Sequence, residues 1–347
     1  MSERILKLGN DFFSKELLNY IEMSPHYNTC LQWNENIDIL NNKTYYYSFL
    51  KSGSYLAKYL KLDTENKILD KVEDFKNLYN SIKKNGYLKE LEPELIRRKI
   101  GDVAHYYGGT CCKIKYDGSL ELWDGMHRSA IKKSLNIPIE IIIVEEHSDW
   151  KNIKEGLLRL HNGQKYLYQS IDHPDFYDWT VYHDNKIKDF LLSEIVSENV
   201  LDIGVCHGLT LCRLKLSNRI TSGTGIESDP DRFNLAKLLF NKAGLNLFNS
   251  IDTFLNQNSG KFNAILLLSV MHHFIRQYGK EKAKQILSDL SKITNKIIYE
   301  CPAPGEAIIN EFGLSGIDFD KFIIEATGFK EKERFRMKRD LIILENN

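Results

Sequence analysis

Several signals are missing from this 347-residue chain, and each absence removes a class of protein. No stretch approaches the roughly 20 apolar residues needed to span a bilayer, so no membrane span is expected. The opening MSERILKLGNDFF lacks the apolar core of a secretory signal, so the cytoplasm is the expected compartment. The six cysteines (Cys30, Cys111, Cys112, Cys206, Cys212 and Cys301) include no C-x-x-C pair. That argues against a zinc site or a disulfide framework and for a reduced protein. An excess of one charge is also missing, since Lys+Arg and Asp+Glu both count 47. A chain built mainly to grip nucleic acid would be basic, so nucleic acid is not the expected partner. No fixed-period repeat and no low-complexity tract is present.

The length exceeds one average domain, and two domains are expected. Residues 73–86 read as a helix, because Phe75, Leu78, Tyr79 and Ile82 recur at helical spacing and Gly86 suits its end. Cys112–Tyr116 and Leu120–Trp123 read as two strands joined by Asp117-Gly118. A helix over 126–135 and a buried strand, Ile139–Val144, follow. Residues 150–196 are mixed and rich in aromatics, among them Tyr166, Tyr168, Phe176, Tyr177, Trp179 and Tyr182. Such rings suit a sugar-like or nucleoside substrate, or simply the packing of a domain boundary. From Asn199 the pattern becomes regular. Strand candidates at 199–203, 222–227, 246–249, 262–268 and 296–301 alternate with helical segments such as 230–243 and 280–292, which predicts a parallel sheet covered on both faces.

The first of these strands ends in Leu201-Asp202-Ile203-Gly204-Val205-Cys206-His207-Gly208. Gly204 and Gly208 bracket a tight turn before a helix, where backbone can approach a ligand closely. The full G-x-G-x-x-G spacing of a dinucleotide site is absent. Glu227 ends the next strand, placed to take the two hydroxyls of a ribose. Asp252 follows the third, where it can accept from an adenine amino group. The fourth runs into Ser269-Val270-Met271-His272-His273-Phe274. This ordered set, over residues 199–345, resembles the class I S-adenosylmethionine (SAM)-dependent methyltransferase family. The resemblance implies a Rossmann-like seven-stranded sheet and SAM as cofactor. Asp202, Gly204, Gly208, Glu227, Asp252 and Ser269 would face the cofactor, and Ser269–Phe274 would border the substrate. His272 or His273 could act as general base for a hydroxyl, His272 being nearer the strand end, or could cap and pack the following helix.

In the first half, Asp124-Gly125-Met126-His127-Arg128 closes a strand and opens a helix. Helix-start amides beside His127 and Arg128 form an anion site, and Arg128 can hold phosphate oxygens bidentately. The pattern, over residues 70–146, resembles the ParB/sulfiredoxin-like family. That implies an α+β domain in which Asp124, Gly125, His127 and Arg128 bind nucleotide phosphates, with ATP or another nucleotide and Mg as the implied ligands. Asp124 and His127 would serve any phosphoryl transfer. Glu90, Glu92 and Glu94 are candidates for that family's acidic base.

The expected organisation is a ParB-like domain over 1–150, a connector over 151–198 and a methyltransferase domain over 199–347. The expected function is methylation of a hydroxyl or phosphate oxygen on a small-molecule or glycan-linked acceptor, with a first domain that binds nucleotide or acts as a kinase. One rival is a nucleic-acid methyltransferase whose ParB-like half reads DNA. The neutral charge opposes it, as does Ser269–His272 where base-amino methylators carry N/D-P-P-Y. The other rival is a nonenzymatic SAM- or nucleotide-sensing module.

Overall fold

The computed structural model describes residues 4–9, 11–86, 98–100, 103–105, 110–183, 186–258, 260–300, 318–337 and 339–346. The candidate bases Glu90, Glu92 and Glu94, and Cys301, lie outside the described residues. The chain divides into two compact units: Met1–Asn152 with Asp172–Asp178, and Ile153–Ile171 with Trp179–Asn347. The connector expected over 151–198 is thus shared between the units. No described helix is long and apolar enough to cross a membrane.

The first unit begins with strand β1 (Arg4–Lys7) and helices α1 (Phe12–Glu22), α2 (Pro25–Glu35), α3 (Tyr45–Lys51), α4 (Tyr55–Tyr59) and α5 (Glu65–Asn85). Strands β2 (Arg98–Ile100), β3 (Val103–His105), β4 (Thr110–Ile114) and β5 (Leu120–Asp124) follow, then α6 (Met126–Ser134) and β6 (Glu140–Glu146). A four-stranded sheet has the order β1-β6-β4-β5. The expected hairpin is β4–β5, and its turn is closed by Gly118 N–H donating to the Lys115 carbonyl at 3.1 Å. Helix α5 starts eight residues before the sequence expectation, capped by the Thr64 side chain. The reason is a longer apolar stripe, Ile68, Val72, Phe75, Tyr79 and Ile82, all buried at alternating spacings of four and three. Trp33, Tyr46, Phe75 and Tyr79 form the aromatic heart of this core.

Helix α7 (Ser148–Leu160) contains the division between the units. The second unit then carries β7 (Tyr166–Gln169), β8 (Thr180–His183), α8 (Lys186–Ile195), β9 (Glu198–Ile203), α9 (Leu209–Leu216), β10 (Ile220–Ile226), α10 (Pro230–Ala243), β11 (Asn246–Phe248) and α11 (Ile251–Gln257). After these come β12 (Ala264–Leu268), α12 (Met271–Ser291), β13 (Lys296–Glu300), α13 (Phe319–Thr327), β14 (Lys330–Phe335) and β15 (Leu341–Glu345). Seven strands form one sheet in the order β11-β10-β9-β12-β13-β15-β14. Neighbours from β11 to β13 are parallel, and β15 runs antiparallel between β13 and β14. The five expected strands all form, within two residues at each end. Helix α10 matches its expected span, whereas the expected helix 280–292 is the second part of α12, which bends at Gly279.

Period-two alternation divides the core between the sheet's faces. Leu201, Ile203, Ile265, Leu267, Ile297, Tyr299, Ile342 and Leu344 pack with α11, α12 and α13. Val200, Ala264, Leu266, Ile298, Leu341 and Ile343 pack with α8, α9 and α10. Chain order reverses between β9 and β12: β9, β10 and β11 step one way, then β12 and β13 the other. This is the switch point of an open α/β sheet, where strand ends splay and leave a crevice.

Phe240 on α10 is fully buried beneath the turn that borders this crevice. Phe240→Ala should cost about 3–5 kcal/mol, the usual loss for a deleted core aromatic. Urea unfolding monitored on the full chain would measure it, and a cost below about 1 kcal/mol would show that the ring is not structural.

Candidate functional site

The turn after β9 is held by its neighbour strand. The amides of Gly204 and Val205 both donate to the Ile226 carbonyl, at 2.8 and 3.1 Å. Gly204 and Gly208 adopt φ of 75° and 78°, and Cys206 between them has φ 57°, a left-handed value that costs a side-chain-bearing residue energy. A Cβ on Gly208 would lie 2.5 Å from the Phe240 ring, so glycine is required there on two grounds. Gly208 also caps α9 without a side chain, so α9 opens at the strand ends with its first amides uncovered by any side-chain cap.

Glu227 ends β10 and is almost fully buried. Its carboxylate accepts from the Cys206 amide at 2.8 Å and the Asp229 amide at 2.9 Å. Burial pushes its pKa up, against the pull of those amides and of Arg232. Two accepted bonds leave a carboxylate with further lone-pair capacity for ligand hydroxyls. Asp202, also buried, pairs in register with Gly225 of β10 and Leu266 of β12, at the centre of the switch point. Its neighbour His207 is enclosed, and burial drops its pKa to about 3. Its Nδ1 is 3.3 Å from the Gln169 carbonyl; a carbonyl only accepts, so the ring's proton sits on Nδ1. His207 Nε2 and Gln169 Oε1 are buried with no hydrogen-bond partner in the structure. A glycine turn with no side chains to fill it, a buried carboxylate with spare capacity and orphaned polar atoms beside them fit a nucleoside-type cofactor.

Ser269 follows β12 in a left-handed conformation, φ 58°. Its amide donates to the Glu300 carbonyl at 2.8 Å and its hydroxyl donates to the Glu300 carboxylate. Arg339 Nη1 donates to Ser269 Oγ at 2.8 Å, and Arg339 also bonds the Tyr168 hydroxyl. Sequence reasoning named Ser269 and Tyr168 but missed Glu300 and Arg339, which lie 31 and 70 residues from Ser269. No local motif marks either; only β13 and β15 bring them to this edge. Arg232 was missed too. It stands in the first turn of α10, and its charge acts on Cys206, His207, Glu227 and His273.

The other expected residues are spread around this edge. Asp252 is exposed in the first turn of α11, 3.7 Å from Lys282 Nζ. His272 is buried at the start of α12, whereas His273 is exposed. Their rings lie 4.1 Å apart. Partial burial, with Arg232 and Arg276 nearby, lowers the His273 pKa and keeps its imidazole neutral. Among the connector aromatics, Phe176 belongs to the first unit, against Trp150 and His173, while Tyr166 and Tyr168 belong to the second.

In the first unit, Gly125 caps α6 in a left-handed conformation, φ 92°, without a side-chain cap. Asp124 Oδ1 accepts from the Gly125 amide at 2.7 Å. His127 points elsewhere: its Nε2 is 2.9 Å from the Tyr46 hydroxyl, in a cluster with His26 and Phe75 at ring distances of 4.6 and 4.7 Å. Arg128 is half-buried and makes no hydrogen bond or ion pair among the described residues. The turn therefore keeps Gly125 and Arg128 near the helix start and sends His127 into aromatic packing. Cys111 and Cys112 are fully buried, and burial raises the Cys112 thiol pKa, so neither is poised for thiol chemistry.

No protein-family model matches the chain. Two curated Escherichia coli proteins, each described as the O-antigen chain terminator bifunctional methyltransferase/kinase WbdD, are 26% identical over 136 residues. The match covers 38% of this chain and 19% of those proteins, so it spans about a fifth of the relatives' length. Among solved structures, the bifunctional kinase-methyltransferase WbdD is 21% identical with a TM-score of 0.45, over 55% of this chain and 46% of that one. An O-methyltransferase family protein from Burkholderia thailandensis is 13% identical with a TM-score of 0.37, over 46% of this chain and 55% of that one. The TrmK of M. capricolum, solved with S-adenosyl-homocysteine, is 12% identical with a TM-score of 0.34, over 46% and 68% of the two chains.

The His26–His127 cluster sets a pH dependence. His26 is buried among rings, and burial drops its pKa from 6.5 to about 4. Between those values the unfolded chain binds a proton that the folded chain refuses, so stability rises with pH across this window. It should be complete above about pH 6.5 and be lost as pH falls toward 4. Thermal midpoints recorded from pH 7 to 4.5 should fall, and His26→Leu should flatten that slope. An unchanged slope in the variant would remove His26 as its source.

Proposed function

We propose that the second unit is a SAM-dependent methyltransferase that transfers its methyl to a hydroxyl or phosphate oxygen of a small-molecule or glycan-linked acceptor. The observation that carries this reading is the convergence of Asp202, the Gly204–Gly208 turn, Glu227 and Ser269 on the switch point of a sheet ordered β11-β10-β9-β12-β13-β15-β14. We read that order as the Rossmann-like sheet of class I methyltransferases. The 136-residue similarity to methyltransferase/kinases points the same way.

Bound SAM would supply an electrophilic methyl on its sulfonium. The Gly204–Gly208 backbone would admit the cofactor, and Glu227, already oriented by two amides, would take its ribose hydroxyls. Asp252 is assigned to the adenine side, where its exposed carboxylate would have to leave Lys282. Methyl transfer depends mainly on in-line placement, so the acceptor's position matters more than any single base. Ser269, Glu300, Arg339 and Tyr168 form a linked polar wall at the strand ends that could fix the acceptor. A hydroxyl acceptor must also lose a proton. The neutral, exposed His273 is better placed to take it than the buried His272.

Calorimetric titration should show SAM binding that Asp202→Ala weakens by at least about tenfold with little change in unfolding midpoint. With labelled SAM and an acceptor panel, His273→Ala should lower kcat by about a hundredfold or more while SAM affinity holds. Absence of SAM binding by the intact chain would overturn the reading.

A second reading, carried by the kinase half of the relatives' description, concerns the first unit. Gly125 at the start of α6 and the half-buried Arg128 would hold a nucleotide phosphate, with Mg, and Asp124 and His127 would serve phosphoryl transfer. Arg128→Ala should reduce ATP–Mg binding by about tenfold or more. If the unsubstituted chain binds no nucleotide, the bifunctional form of the proposal fails.

A further inference from the structure

Helices α3, α4 and α5 of the first unit enclose a groove with a cavity of about 450 Å³, within the range of small-ligand sites. Its apolar floor includes Leu50, Ala57 and Ile68, and its walls carry Tyr47, Lys51, Lys58, Lys61, Asp63 and Glu65. Two features set this groove apart from ordinary surface. The first is aromatic. Tyr55 and Tyr59 on α4 are 85% and 52% exposed, with nearly parallel rings 6.4 Å apart and 20° between planes. Four residues apart, they share one helix face, and Lys58 borders that face while Ala57 turns inward.

The second is charge. Asp63 is paired with Lys67 at 2.6 Å, and Glu65 with Lys51 at 3.5 Å and with the Tyr47 hydroxyl. Lys58 and Lys61 make no ion pair among the described residues. The uncompensated charges of the groove are therefore both positive. Its remaining polar groups alternate donors and acceptors within reach of one another, as ring hydroxyls require.

We infer that this groove binds an acidic or phosphorylated saccharide. A sugar's C–H face rests on the tyrosine rings, its hydroxyls meet the Lys51–Glu65–Tyr47 set, and its anionic group sits on Lys58 and Lys61. Exposed parallel rings suit a pyranose face. Single-stranded nucleic acid fits less well, because two of the groove's walls are carboxylates and only two lysines are uncompensated. The inference is independent of the cofactor reading, since every residue involved lies in the first unit.

The test uses the full-length chain on an array of neutral, carboxylated and phosphorylated oligosaccharides, followed by calorimetry on the strongest hit. Binding should favour anionic glycans and weaken as salt rises. The exposed double substitution Tyr55→Ala/Tyr59→Ala should weaken it by about tenfold or more, and Lys58→Ala/Lys61→Ala should erase the preference for anionic over neutral glycans. Both variants should keep the thermal midpoint and the SAM affinity of the parent. An array without hits, hits that the tyrosine pair does not affect, or tighter binding of a single-stranded oligonucleotide would overturn the inference. Asp202→Ala separates the two readings: it should abolish SAM binding and leave glycan binding intact.

Discussion

Phe240 and the two glycines it touches hold the second unit's ligand edge in shape. The ring lies where a Cβ on Gly208 or Gly225 would have to be, at 2.5 and 2.6 Å. Helix α10 can therefore press against the β9 turn and β10 together. That closeness keeps the turn flat, keeps α9 starting at the strand ends and leaves Glu227 within reach of the Cys206 amide. Loosening this one contact would separate the parts that make the crevice, although none of its atoms faces the crevice.

The unpaired requirements of the edge are what make it a site rather than a seam. Cys206 and Ser269 both hold left-handed conformations, and both stand at the carboxyl ends of central parallel strands. Strain of this kind persists where surrounding packing over-determines the backbone. Here the apolar faces above and below the sheet supply that packing. Polar groups concentrate where the packing stops: Glu227 against two amides, Ser269 against Glu300 and Arg339, and His207 and Gln169 with atoms left over.

Much of this was legible in the residues. The alternation of apolar strands with helices from Asn199 foretold the central five strands, because buried parallel strands must be nearly continuous apolar runs. The last two strands were not anticipated. Lys330–Phe335 is mostly exposed and charged, so no apolar alternation marks it, and Leu341–Glu345 lies close to the chain end with no helix after it. In the first unit the hairpin and α6 were readable from Asp117-Gly118 and Asp124-Gly125. The early start of α5 was missed because Ile68 and Val72 stand among charged neighbours. His127 shows the limit of motif reading: its spacing from Asp124 suggested a shared phosphate site, while helix geometry turns its ring toward Tyr46 and His26.

What the sequence alone determined is local. Gly204, Gly208 and Gly125 mark turns because only their missing side chains permit those backbones, and Asp202 and Glu227 mark strand ends because apolar runs stop there. What only the tertiary structure decided is company. Arg339 and Glu300 reach Ser269 through strand pairings across 70 and 31 residues, Arg232 reaches His207 through the packing of α10, and Tyr55 and Tyr59 are left bare because α4 buries its opposite side. Spacing along a chain fixes which face a residue takes on its own element. Only the closing of the sheet and the docking of helices fix which other face it meets.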